Sequence, residues 1–156
     1  MRKTLIVLSL FVLTTIQLVW PASLTFFGAK PDILLVFAVS LVFYFNFRVA
    51  LIAAVFAGLL KDAFLPAAPA MNTVLFGIWS YLVFRLSSQI PTENNYIRLA
   101  LVLILAVLNN AAAGIQSLHS GSFIPAGIFL RNLIFPSLYS AAISPLVFKL
   151  SRRISA

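Results

Sequence analysis

Residues 31–64, PDILLVFAVSLVFYFNFRVALIAAVFAGLLKDAF, decide the fold. They hold two long apolar runs, with only Asn46 and Arg48 interrupting them. Pro31-Asp32 opens the first run and Lys61-Asp62 ends the second. Proline suits a first helical turn, where its missing N–H is no loss, and a carboxylate there complements the helix dipole. Read as one helix, Asp32 to Lys61 would rise on the order of 45 Å. A hydrocarbon core is only about 30 Å thick. Two helices at 31–47 and 49–64, joined by a tight turn near Asn46–Arg48, fit instead.

The same pattern extends outward. Further apolar runs cover residues 4–20, 72–86, 96–115 and 126–150. The chain has 156 residues, 62% hydrophobic and 9% charged, where a soluble domain is about a quarter charged. Backbone polar groups in lipid must be satisfied internally, which leaves helices or closed barrels. The runs do not alternate with period two, which excludes a barrel. The expectation is an all-α membrane protein, a six-transmembrane-helix bundle forming a single integral membrane domain over 1–156. The first run imitates a signal peptide, with Arg2-Lys3 before it and Pro21-Ala22-Ser23 after it. It exceeds the roughly 7–15 residues of a signal-peptide apolar core, and Trp20 suits an interfacial anchor. It is read as a retained helix.

The gaps are short. Residues 21–30 carry little polarity and suit the membrane interface. Leu65–Pro69 contains Pro66 and Pro69 and reads as a loop. Arg85–Arg98 is the most polar stretch, with Thr92 and Asn95 offering a helix cap. A second loop starts at Gln116 and includes His119 and Pro125. The last helix contains Pro136 and Pro145 and is long enough to tilt or kink.

The formal charge is +8 and there are no cysteines. Disulfides and thiolate metal sites are therefore excluded. Cations at segment ends point to orientation and anionic headgroups rather than to nucleic acid, for which no basic arm or aromatic platform is present. With the N-terminus cytoplasmic, Arg2, Lys3, Arg48, Arg85, Arg98, Lys149, Arg152 and Arg153 fall inside and Lys30 and Lys61 outside. That obeys the positive-inside rule. It needs an even number of helices, with both termini cytoplasmic.

Few groups inside the bundle carry chemistry. Asp62 ends a helix whose Ala50, Ala54 and Gly58 fall on one small face beside Ala53 and Ala57, which admits close approach of another helix. Its carboxylate either pairs with a cation from elsewhere or reaches water beside Lys61. Arg131 lies one to two turns inside the last segment, so it either snorkels or finds an anion. The expected anion is Asp62 or Asp32. Asn109-Asn110 precede Ala111, Ala112, Ala113 and Gly114, and buried amides in lipid seek interhelical hydrogen bonds. Thr14 and Thr15 are expected to bond back to their own helix. No nucleophile constellation, phosphate loop, paired carboxylates or metal spacing is present. No enzyme, cofactor or metal is expected, and a lone His119 in a loop does not change that.

Several motifs in order resemble the MreD family, the rod shape-determining membrane proteins of bacteria. Lys30-Pro31-Asp32-Ile33-Leu34-Leu35 resembles the family's basic-Pro-Asp opening of its second helix. Phe47-Arg48-Val49 resembles its inner turn. Ala57-Gly58-Leu59-Leu60-Lys61-Asp62 resembles the Gly-Leu-Leu-x-Asp end of its third helix. Pro136-Ser137-Leu138-Tyr139 and Pro145-Leu146-Val147-Phe148 resemble its last helix. Two places depart from the pattern: Leu65–Ala70 holds prolines and alanines where the family has a glycine-rich turn, and Ser140 stands where an asparagine is common.

The resemblance implies a non-catalytic scaffold of the bacterial inner membrane that maintains rod shape. Its implied partners are an MreC-like bitopic membrane protein and, indirectly, the MreB filament and the transpeptidase and glycosyltransferase of elongation. The implied fold is similar to the substrate-binding subunit of energy-coupling-factor transporters. A vitamin-binding transporter subunit is therefore the alternative, and a small membrane chaperone or assembly factor a third. A ligand pocket needs several convergent polar groups. The outer half offers Asp32, Asp62, Asn72, Gln116, His119 and Arg131, too few to select a ligand.

Overall fold

The computed structural model of the chain describes residues 2–64 and 70–156. The loop expected at Leu65–Pro69 lies outside the described residues. Six α-helices are present and no strands among them: α1 Arg2–Leu18, α2 Ile33–Tyr44, α3 Phe47–Phe64, α4 Met71–Ser87, α5 Asn95–His119 and α6 Ala126–Ser155.

The boundaries differ from the sequence reading at several places. Pro31 and Asp32 precede α2 rather than forming its first turn. Asp32 is the N-cap, its carboxylate accepting a hydrogen bond from the Leu35 N–H at 3.2 Å. The turn after α2 is Phe45–Asn46, so Phe47 and Arg48 already belong to α3. Before α5 the cap is Asn94, not Thr92 or Asn95, its side chain accepting from the Tyr96 N–H. The helix then runs on through Gln116 and Ser117 to His119, where a loop was expected; the Ser117 hydroxyl bonds back to the Ala113 carbonyl. The basic tail is helical to Ser155, where cations favour the helix C-terminus.

Helix α2 is the centre of the bundle. Ile33 to Val42 are all buried, as expected of a helix that is apolar all round. It packs on each of the other helices. Its 12 residues rise about 18 Å, shorter than a bilayer core, because protein rather than lipid surrounds it. Helices α5 and α6 are long and apolar enough to cross a membrane. Large apolar side chains stand exposed around the outside, among them Leu8, Ile52, Ile104 and Leu146.

Helices consecutive in the chain alternate in direction, so α6 runs parallel to α2. Gln17 at the end of α1 meets Asp32 at the start of α2, and Ser155 at the end of α6 meets Tyr44 at the end of α2. One end of the bundle thus gathers Asp32, Lys61, Asp62 and Asn72. The other gathers Tyr44, Arg98, Lys149 and Arg152. Between α1 and α2 the chain makes a short 3₁₀ turn at Ala22–Leu24 and a two-residue reversal at Phe27-Gly28, both at positive φ. The Leu24 carbonyl accepts from the Tyr139 hydroxyl at 2.7 Å, which ties this linker to α6.

Both prolines of α6 are accommodated in a continuous helix. Pro145 has no N–H to offer the Ala141 carbonyl, and the neighbouring Ser144 hydroxyl donates to that carbonyl at 2.7 Å. This is the local rescue that lets proline persist where no water is available.

Candidate functional site

The polar groups at the acid-bearing end form one network across the helices. Asp32, 7% exposed, is its hub. Its carboxylate forms an ion pair with Lys61 from α3. It also accepts from the Gln17 amide of α1 and from the Asn109 amide of α5, each at 3.4 Å. Its backbone N–H donates to the Ser140 hydroxyl of α6 at 2.8 Å. The first turn of α2 is held as well, the Leu34 N–H donating to the side-chain amide oxygen of Gln17 at 3.1 Å. One residue thereby ties α1, α3, α5 and α6 to the start of α2. Lys61 completes its surroundings by lying over the Phe76 ring, 5.3 Å from its centroid.

Asp62 does a separate job one residue further on. Its carboxylate accepts from the backbone N–H groups of Asn72 and Thr73 at 3.0 and 2.8 Å. It also accepts from the Asn72 amide at 2.8 Å and the Thr73 hydroxyl at 2.6 Å. These are first-turn N–H groups of α4, which no intrahelical acceptor can reach. Asp62 therefore caps a neighbouring helix from outside it. Gly58, one turn earlier on α3, makes this possible. A Cβ there would stand 2.5 Å from the Asn72 carbonyl oxygen and 2.5 Å from the Thr73 Cα, far inside contact distance. Ala50, Ala53, Ala54 and Ala57 are all buried too. The small face serves packing within the chain.

Asn109, 2% exposed, bridges the network to α4, its side-chain oxygen accepting from the Trp79 indole N–H at 3.2 Å. Asn110 points instead to α6 and donates to the Ser137 hydroxyl at 3.0 Å. Thr14 and Thr15 bond back to the Leu10 and Phe11 carbonyls as expected.

The expected Arg131–Asp62 or Arg131–Asp32 pair does not form. Lys61 occupies Asp32, while Asn72 and Thr73 satisfy Asp62. Arg131 is exposed, and its guanidinium lies beside Gly28, 3.5 Å from where a Cβ would stand. Sequence reasoning also missed Gln17, Lys61 as the partner of Asp32, Trp79, and Ser140 as an acceptor. Gln17 carried a usable signal, an amide near the end of an otherwise apolar run. The Lys61–Asp32 pairing had none, since 29 positions separate them.

Two adjoining cavities border the network. One, of about 340 Å³, is lined by Gln17, Lys30, Asp32, Lys61 and Asn110 among others. The second, of about 310 Å³, meets Asn72, Asn109, Gln116 and Ser117. The Gln116 side-chain oxygen is buried without a partner among the described residues. No group of three or more histidine, cysteine or acidic side chains among the described residues could hold a metal ion. His119 ends α5 in an exposed position. The arrangement is one that fixes helices against one another.

No curated protein and no solved structure matches the chain. The family model described as rod shape-determining protein MreD matches residues 1–154. The chain belongs to the MreD family, and with its apolar helices it is a membrane protein with a role in rod shape determination.

Proposed function

We propose that the protein is a non-catalytic scaffold of the bacterial inner membrane that spans the bilayer six times, with both termini in the cytoplasm. It binds an MreC-like bitopic protein through one apolar side of the bundle. Through that partner it helps organise peptidoglycan synthesis with MreB-like filaments and the elongation transpeptidase and glycosyltransferase. The family match over nearly the whole chain carries this reading. Three further observations support it. Consecutive helices alternate in direction, the exterior is apolar, and the most elaborate polar network is used to hold helices together. The architecture is proposed to be similar to the substrate-binding subunits of energy-coupling-factor transporters.

The test is purification of the full chain from membranes, with identification of what comes with it. Recovery of an MreC-like partner is the expected result. A bound vitamin or an ATPase partner without it would replace the scaffold reading with transport. Asp62→Ala, which uncaps α4, is expected to reduce recovery of the partner. Unchanged recovery together with normal cell shape would remove Asp62 from the partner-binding geometry.

A further inference from the structure

The opposite end of the bundle holds a cavity of about 540 Å³ between the end of α2, the start of α5 and the end of α6. Arg98, Lys149 and Arg152 converge on it, and no carboxylate lines it. Three cations sharing one concavity repel each other unless an anion joins them. Arg98 is already fixed in place. Its guanidinium donates to the Tyr44 hydroxyl at 2.8 Å and to the Thr92 carbonyl, and it lies 5.3 Å from the Phe43 ring centroid. That commits two of its five donors. Leu99, Pro145 and Phe148 give the wall an apolar part, beside Asn95, Tyr96 and Ser144.

This combination of a basic rim and a partly apolar wall selects an anion attached to a hydrocarbon. Its depth agrees. Arg152 lies about 39 Å along α6 from Ala126, beyond a hydrocarbon core of about 30 Å and hence at headgroup level. We infer that the cavity is a site for the phosphate ester of an anionic phospholipid. Arg98, Lys149 and Arg152 contact the phosphate, and the first part of an acyl chain lies against Leu99 and Phe148. Basic pockets between membrane helices bind lipid headgroups in this manner. The inference rests on the membrane placement proposed above, but not on the partner.

The test is native mass spectrometry of the full chain in detergent, titrated with phosphatidylglycerol and, as a neutral control, phosphatidylcholine. Phosphatidylglycerol is expected to be retained preferentially. The double variant Lys149→Gln, Arg152→Gln is expected to lose about tenfold in retention, at roughly 1 kcal/mol or somewhat less per cation. Arg48→Gln, Arg85→Gln removes the same charge outside the cavity and is expected to stay within about twofold. Equal losses in the two double variants would show diffuse attraction and overturn the site, as would no loss in either. Arg98 is left intact because it holds Tyr44. The charge-conserving Lys149→Arg, Arg152→Lys is expected to retain binding, and its failure would also overturn the site. Inorganic phosphate is expected not to displace the lipid; displacement at millimolar concentration would assign the cavity to a soluble phosphate instead. Lipid binding is measured without any partner, so its failure and a failed partner recovery are distinguishable.

Discussion

At one end of the bundle Asp32 and Asp62 each accept hydrogen bonds from four donors. At the other end Arg98, Lys149 and Arg152 share a concavity without an acid. The contrast separates two uses of charge in an apolar protein. A carboxylate is a pure acceptor, and a buried start of a helix supplies unsatisfied N–H groups. Acids therefore suit the architecture, and here they do it twice on adjacent helices. Long basic side chains reach outward and keep their heads wet, so they suit placement at a surface. Removing an acid should perturb the fold. Removing a cation should perturb where and with what the fold associates.

The largest expected effect tests the first half of that contrast. Asp32→Ala leaves Lys61 without its partner at a site where its side chain is 13% exposed. Breaking a buried pair from one side costs about 3–5 kcal/mol, to be read from the unfolding midpoint of the purified protein in detergent. Adding Lys61→Met to that variant is expected to recover part of the loss. No recovery would mean that Asp32 acts through the α2 cap and Asn109 alone. Gly58→Val comes next, at about 1–3 kcal/mol for overpacking, because the neighbouring atoms belong to the α4 backbone and have little room to yield. A variant as stable as the parent would show that α3 and α4 do not approach so closely. The smallest effect belongs to the other end. Arg152→Ala is expected to shift the same midpoint by less than about 0.5 kcal/mol, as an exposed surface change. A loss comparable to Asp32→Ala would collapse the distinction between the two ends.

Much of the helical layout is legible in the sequence because lipid leaves so little freedom. Apolar runs of bilayer length read as helices, and the Asn46 interruption separates α2 from α3. The limits of the helices were less legible. Caps at Asp32 and Asn94 and the helical tail to Ser155 depend on individual side-chain bonds, which hydropathy does not register. Of the network's groups, Gln17, Trp79 and the pairing of Lys61 with Asp32 were not legible in the sequence. Asp32, Gly58, Asp62, Asn109 and Asn110 are all engaged as polar or close-packed groups. Asp62 found backbone N–H groups instead of a cation, because α4 begins nine residues later against its own small face. Arg131 was drawn toward an acid by charge counting. Lys61, which arrives from the helix packed beside α2, had already taken Asp32.

The cap that Asp62 supplies has a consequence for how the chain enters a membrane. A helix that starts with free N–H groups must carry them into lipid or wait for a partner. Here the preceding helix delivers the acceptor, so the first-turn N–H groups of α4 are satisfied by a residue made before them. The cap of α4 therefore needs no group from α5 or α6.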